Sequence, residues 1–154
     1  MPQARVLLGT EVVMDFMNER QPFYQQTRML MVAGRVGEFD LWVTAPQVVD
    51  LVYLLSEGGK PELLPRAMER IRGLRTFVQV ADLTAANIDR MLASSGQNPE
   101  SQLMVNAAID LRADFLLTHE PDGLGNGLVK VTNVPGMFEW LCENRDLDYT
   151  QIEI

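Results

Sequence analysis

The side chains best equipped for chemistry in this chain of 154 residues gather where short apolar runs end. His119, the only histidine, stands between Thr118 and Glu120 in "DFLLTHE". Imidazole titrates near neutrality, which suits a general base or a metal ligand. Without a second imidazole or a thiolate beside it, however, it makes a poor transition-metal site, and a hydrogen-bonded loop residue is the expectation. Thr10 and Thr118 carry hydroxyls able to position phosphate or water, although such residues more often cap a helix or close a loop. Cys142 is the only cysteine, has no triad partner nearby in sequence, and is expected in the core or at an interface. The run "DGLGNGLVK" is glycine-rich, but it lacks the Lys-Ser/Thr ending of a phosphate loop and reads as a flexible loop near the site.

Bulk properties bound what these residues can serve. With 47% hydrophobic and 22% charged residues the composition is that of an ordinary globular chain, and residues 1–154 read as one domain. No apolar run approaches the roughly 18 to 20 residues that span a bilayer, so no membrane partner is expected. The start "MPQARVLL" lacks the apolar stretch of a signal peptide, and a single cysteine cannot close an internal disulfide, so a cytoplasmic location is expected. A net charge of −8 opposes binding to phosphate backbones. The local exception is "LPRAMERIRGLR", where Arg66, Arg70, Arg72 and Arg75 cluster; a solvated helix face is the expectation for them.

The elements that must position these groups follow from periodicity and punctuation. Val6-Leu7-Leu8 reads as a buried strand, followed by a helix from Glu11 to Asn18 with Val12, Val13 and Phe16 inward, and by a second helix from about Phe23 that stops at Gly34. "FDLWVTA" is a second strand, and "PQVVDLVYLLSEGG" a helix opened by Pro46 and closed by Gly58-Gly59. "KPELLPRAMERIRGL" is a helix and "RTFVQVADL" the third strand. Thr84 and Asn98 are N-caps of two further helices, the latter with Pro99 in its first position and Glu100 in its first turn. "DFLLTHE" and "LVKVTNV" complete the strands and "PGMFEWLCENR" the helices. Alternating strands and helices predict an α/β three-layer sandwich around a central, mostly parallel, five-stranded sheet.

This order of local motifs resembles the PIN-domain family, the metal-dependent ribonuclease fold that includes the toxins of VapBC-type toxin–antitoxin pairs. The resemblance runs from Arg5 to about Leu141. "RVLLGTEVVMDFMNERQPFY" is similar to the family's opening strand and helix, "LWVTAPQVVDLVYLL" to its second strand and acid-bearing helix, and "NPESQLMVNAAIDLRADFLLTHEPDGL" to the segment bearing its third and fourth acids. In the family, four acids hold one or two Mg2+ or Mn2+ ions at the strand ends, where carboxylate oxygens suit hard cations. Carried over by position, the first acid falls on Gly9, with Glu11 at the Asn two residues on. The second is Asp50, the third falls on Ser101 beside Glu100, and the fourth is Glu120, with Asp122 nearby.

Two of the four positions thus lack a carboxylate. The resemblance then implies a PIN fold with an eroded metal site, binding protein or RNA with little or no nuclease activity, as a homodimer or with an antitoxin-like partner. The apolar surplus of "VVMDFM" and "FYQQTRMLMV", including Phe16 and Met17, would supply that interface. The alternative is an Mg- or Mn-dependent endoribonuclease that uses Glu11, Asp50, Glu100 and Glu120 as displaced ligands, Glu11 reaching the site because residues 9 and 11 share a face of an extended strand. Thr10, Ser101 and Thr118 would then meet substrate. A third reading, an unrelated α/β domain binding a small molecule or phosphate at the same strand ends, lacks a glycine fingerprint.

Overall fold

The computed structural model describes residues 3–94, 98–121 and 127–149. Its strands are β1 (Ala4–Leu8), β2 (Phe39–Thr44), β3 (Val78–Ala81), β4 (Phe115–Leu117) and β5 (Lys130–Thr132). The helices are α1 (Thr10–Met17), α2 (Tyr24–Arg35), α3 (Ala45–Leu55), α4 (Leu64–Leu74), α5 (Ala85–Ala93), α6 (Pro99–Leu111) and α7 (Val134–Arg145). The five strands form one sheet in the order β3-β2-β1-β4-β5, and every pairing is parallel. Leu7 of β1 is in register with Trp42 on one side and Leu116 on the other.

Parallel sheets bury both faces, which is why "VLL" and "FLL" are unbroken apolar runs. Val6, Leu8, Leu41, Phe115 and Leu117 point into the larger core, where they meet Val12 and Val13 of α1, Leu30 and Met31 of α2, Leu51 of α3, Ile71 of α4 and Met137 of α7. Leu7 and Leu116 point the other way, against Val105, Ala107 and Ala108 of α6. This alternation produces the three layers. Because every pairing is parallel, the carboxyl ends of the strands lie along a common edge, where an open α/β sheet binds ligands.

Several expectations need correction. Gly34 does not end α2, which runs to Arg35; its missing Cβ instead lets the Leu41 side chain lie against the helix. Phe16 and Met17 are half-buried and pack against the larger core, so they are not part of an exposed surplus. Cys142 is exposed on α7, outside the core. Of the arginine cluster, Arg70 donates to the Met17 carbonyl and Arg75 to the Val78 carbonyl, while Arg66 and Arg72 are exposed. The N-caps hold: the side chains of Thr84 and Asn98 accept from the backbone N–H groups of Asn87 and Ser101. Among the described residues no helix is long and apolar enough to cross a membrane.

Candidate functional site

The strand carboxyl ends open into a cleft of about 920 Å³. Every site residue expected from sequence lines it: Thr10, Glu11, Asp50, Glu100, Ser101, Thr118 and Glu120, together with Gly9 and His119. Asp122 lies outside the described residues. The remainder of the wall comes from Gln47, Tyr53, Leu54, Asn98, Met104 and Leu116.

Gly9 has an extended backbone, with φ −68° and ψ 153°, and serves as the N-cap of α1 without a side chain to offer. Its N–H donates to the Leu117 carbonyl at 2.8 Å. A Cβ built on Gly9 would stand 2.6 Å from that same oxygen, so the close approach of β1 to β4, not a left-handed turn, requires glycine here. Because the helix starts at Thr10, residues 9 and 11 do not share a strand face, contrary to the expectation above. Glu11 instead occupies the first turn of α1, where a carboxylate suits the positive helix end, and it accepts from the Arg20 guanidinium at 2.6 Å. Glu100 has the same relation to the start of α6.

The two threonine hydroxyls make local bonds. Thr10 Oγ1 accepts from Gln47 Nε2 at 3.2 Å, and Thr118 Oγ1 accepts from the Glu120 N–H at 3.4 Å. Gln47 was not anticipated and is central: it is buried, accepts from the Thr44 N–H at 2.7 Å and donates to the Leu8 carbonyl at 2.8 Å. It thereby ties the end of β1 to the start of α3. Its signal was present as Thr44-x-x-Gln47, a capping box.

Asp15 was also missed. It is 1% exposed inside α1, and its Oδ2 is hydrogen-bonded to His119 Nε2 at 2.5 Å. Asp15 Oδ1 has no hydrogen-bond partner, and the Arg20 guanidinium lies 3.8 Å away. The Phe23 ring stacks on His119 with centroids 4.6 Å apart. His119 is therefore the hydrogen-bonded residue expected from its isolation, held by a buried acid on one side and an aromatic ring on the other.

The four carboxylates lining the cleft can attract cations. Among the described residues no group of three or more His, Cys, Asp and Glu side chains converges so as to hold a metal ion. Gly9 and Ser101 bring no carboxylate, and that of Glu11 is engaged by Arg20.

A parallel sheet in this order, with a cleft of acids and hydroxyls at its carboxyl edge, defines the class of fold. The family profile described as PIN domain matches residues 5–122, and the chain belongs to that family. No curated protein matches it by sequence. Among solved structures it is similar to a chain of the crystal structure of VapBC2 from Rickettsia felis bound to a DNA fragment from their promoter. That likeness has a TM-score of 0.58 at 14% identity and covers 84% of this chain and 98% of the other.

Proposed function

We propose that this PIN-domain protein acts by binding rather than by metal-dependent RNA cleavage, and that its cleft receives a basic protein segment with an antitoxin-like role in the cytoplasm. The observation that carries this reading is the Leu117 carbonyl oxygen 2.6 Å from any Cβ at position 9. No carboxylate enters there without a backbone shift, and a two-metal or one-metal pocket short of its first ligand binds its ion weakly. Charge favours a basic partner over RNA: the described lining carries Glu11, Asp50, Glu100 and Glu120 and no lysine or arginine. The similarity to a toxin–antitoxin chain is in keeping with a protein partner. A homodimer is the proposed free form, and the exposed apolar side chains that would build it are Val49 and Tyr53 of α3 and Ile88 and Leu92 of α5.

One observation favours the second reading, an Mg- or Mn-dependent endoribonuclease: all four displaced carboxylates face one cleft. Calorimetric titration with Mn2+, run beside cleavage of single-stranded RNA, separates the two. The binding reading expects no saturable one-site isotherm and no metal-dependent cleavage. A saturable isotherm and a cleavage activity that both vanish in Asp50→Asn would replace it with the endoribonuclease.

A further inference from the structure

We infer that the opposite edge of the sheet carries a second site, a recess that takes a phosphate-bearing small molecule. Lys130 and Phe115 are the first residues of β5 and β4, and beside them opens a recess of about 500 Å³, within the size range of small-molecule sites. Three cations line it: Arg112, Lys130 and Arg145. None of them forms an ion pair with a described carboxylate. The one acid in the wall, Asp114, uses its Oδ2 to accept the Arg5 backbone N–H at 2.8 Å.

Three cations around one concavity, with no ion pair among the described residues to offset their charge, are an arrangement that repulsion opposes. Helix ends account for part of it, since Arg112 is the C-cap of α6 and Arg145 lies in the last turn of α7. Lys130 opens a strand and has no such explanation. The Trp140 ring holds two of the charges together, with the Lys130 Nζ 5.9 Å and the Arg145 Cζ 5.4 Å from its centroid. A cation–π contact consumes no carboxylate, so it leaves the N–H donors able to bond a ligand. Two guanidinium forks and an ammonium suit the oxygens of a phosphate dianion.

The test is calorimetry on the whole chain with inorganic phosphate and, separately, adenosine monophosphate. Saturable binding that weakens about tenfold in Lys130→Gln, the loss of one charge-assisted contact, supports the site. Equal affinity for the two probes assigns it to free phosphate, and tighter nucleotide binding to a nucleotide. No saturable heat with either probe, or binding unchanged in both Lys130→Gln and Arg145→Gln, overturns it. Lys130 is exposed, so the fold survives its substitution. Asp50→Asn should leave this binding unchanged, which keeps the outcome independent of the cleft's role.

Discussion

At position 9 a single methyl group would be driven against a backbone oxygen, not against a side chain that can rotate away. Overpacking of this kind costs about 1–3 kcal/mol. Gly9→Ala should therefore lower the unfolding free energy by an amount in that range, read as a lower urea midpoint, and Gly9→Asp should do so without creating Mn2+ binding. An unchanged midpoint in Gly9→Ala would show that β1 and β4 have slack the structure does not contain. Introducing an acid at position 9 by one substitution is thus opposed by the strand spacing itself. Asp15 shows what sequence reading can miss at this scale. It stands three residues after Val12 on the inward stripe of α1, so its position already placed a carboxylate in the core. Its partner is 104 residues away, and no local pattern indicates His119 as the group that makes its burial tolerable.

Between elements, α5 and α6 are joined by polar side chains. Asp110 Oδ2 accepts from Arg90 and from Asn87 Nδ2, each at 2.6 Å, joining the two helices at their surface. The hydrogen bond from Arg90, then that from Asn87, holds the Asp110 carboxyl below the ordinary aspartate range. The ionised form is favoured by folding, so the contribution is complete above about pH 4 and is lost as acid protonates the folded-state carboxylate. The pair is half exposed, and its worth is below about 1 kcal/mol. Asp110→Asn should show a small stability loss at pH 7 that shrinks as pH falls below about 4; a loss that stays constant into strong acid would mean the variant perturbs packing instead. The elements themselves were legible because β1 and β4 carry unbroken apolar runs and each of α5 and α6 opens on a capping residue. What joins them was not, because Asn87, Arg90 and Asp110 are ordinary surface residues until the fold brings them together.

For the molecule as a whole, charge is distributed by edge. The carboxyl edge of the sheet gathers four acids in one cleft, and the opposite edge gathers three cations in one recess, although the chain as a whole is acidic. A cleft lined in this way focuses a negative field, which draws a basic segment at long range and accelerates its encounter. Screening shortens that reach from about 30 Å at 0.01 M salt to about 8 Å at 0.15 M. An arginine-rich peptide should therefore bind with an affinity that falls as salt rises between these limits, mainly through a slower association rate. Neutralising two acids at the rim with Asp50→Asn and Glu100→Gln should flatten that dependence, while Lys130→Gln at the far edge should not. Stopped-flow fluorescence with a labelled peptide measures both rates. An association rate indifferent to salt, or equally sensitive in the neutralised cleft, would mean that the acids are a solvated helix-capping set and that the partner docks elsewhere.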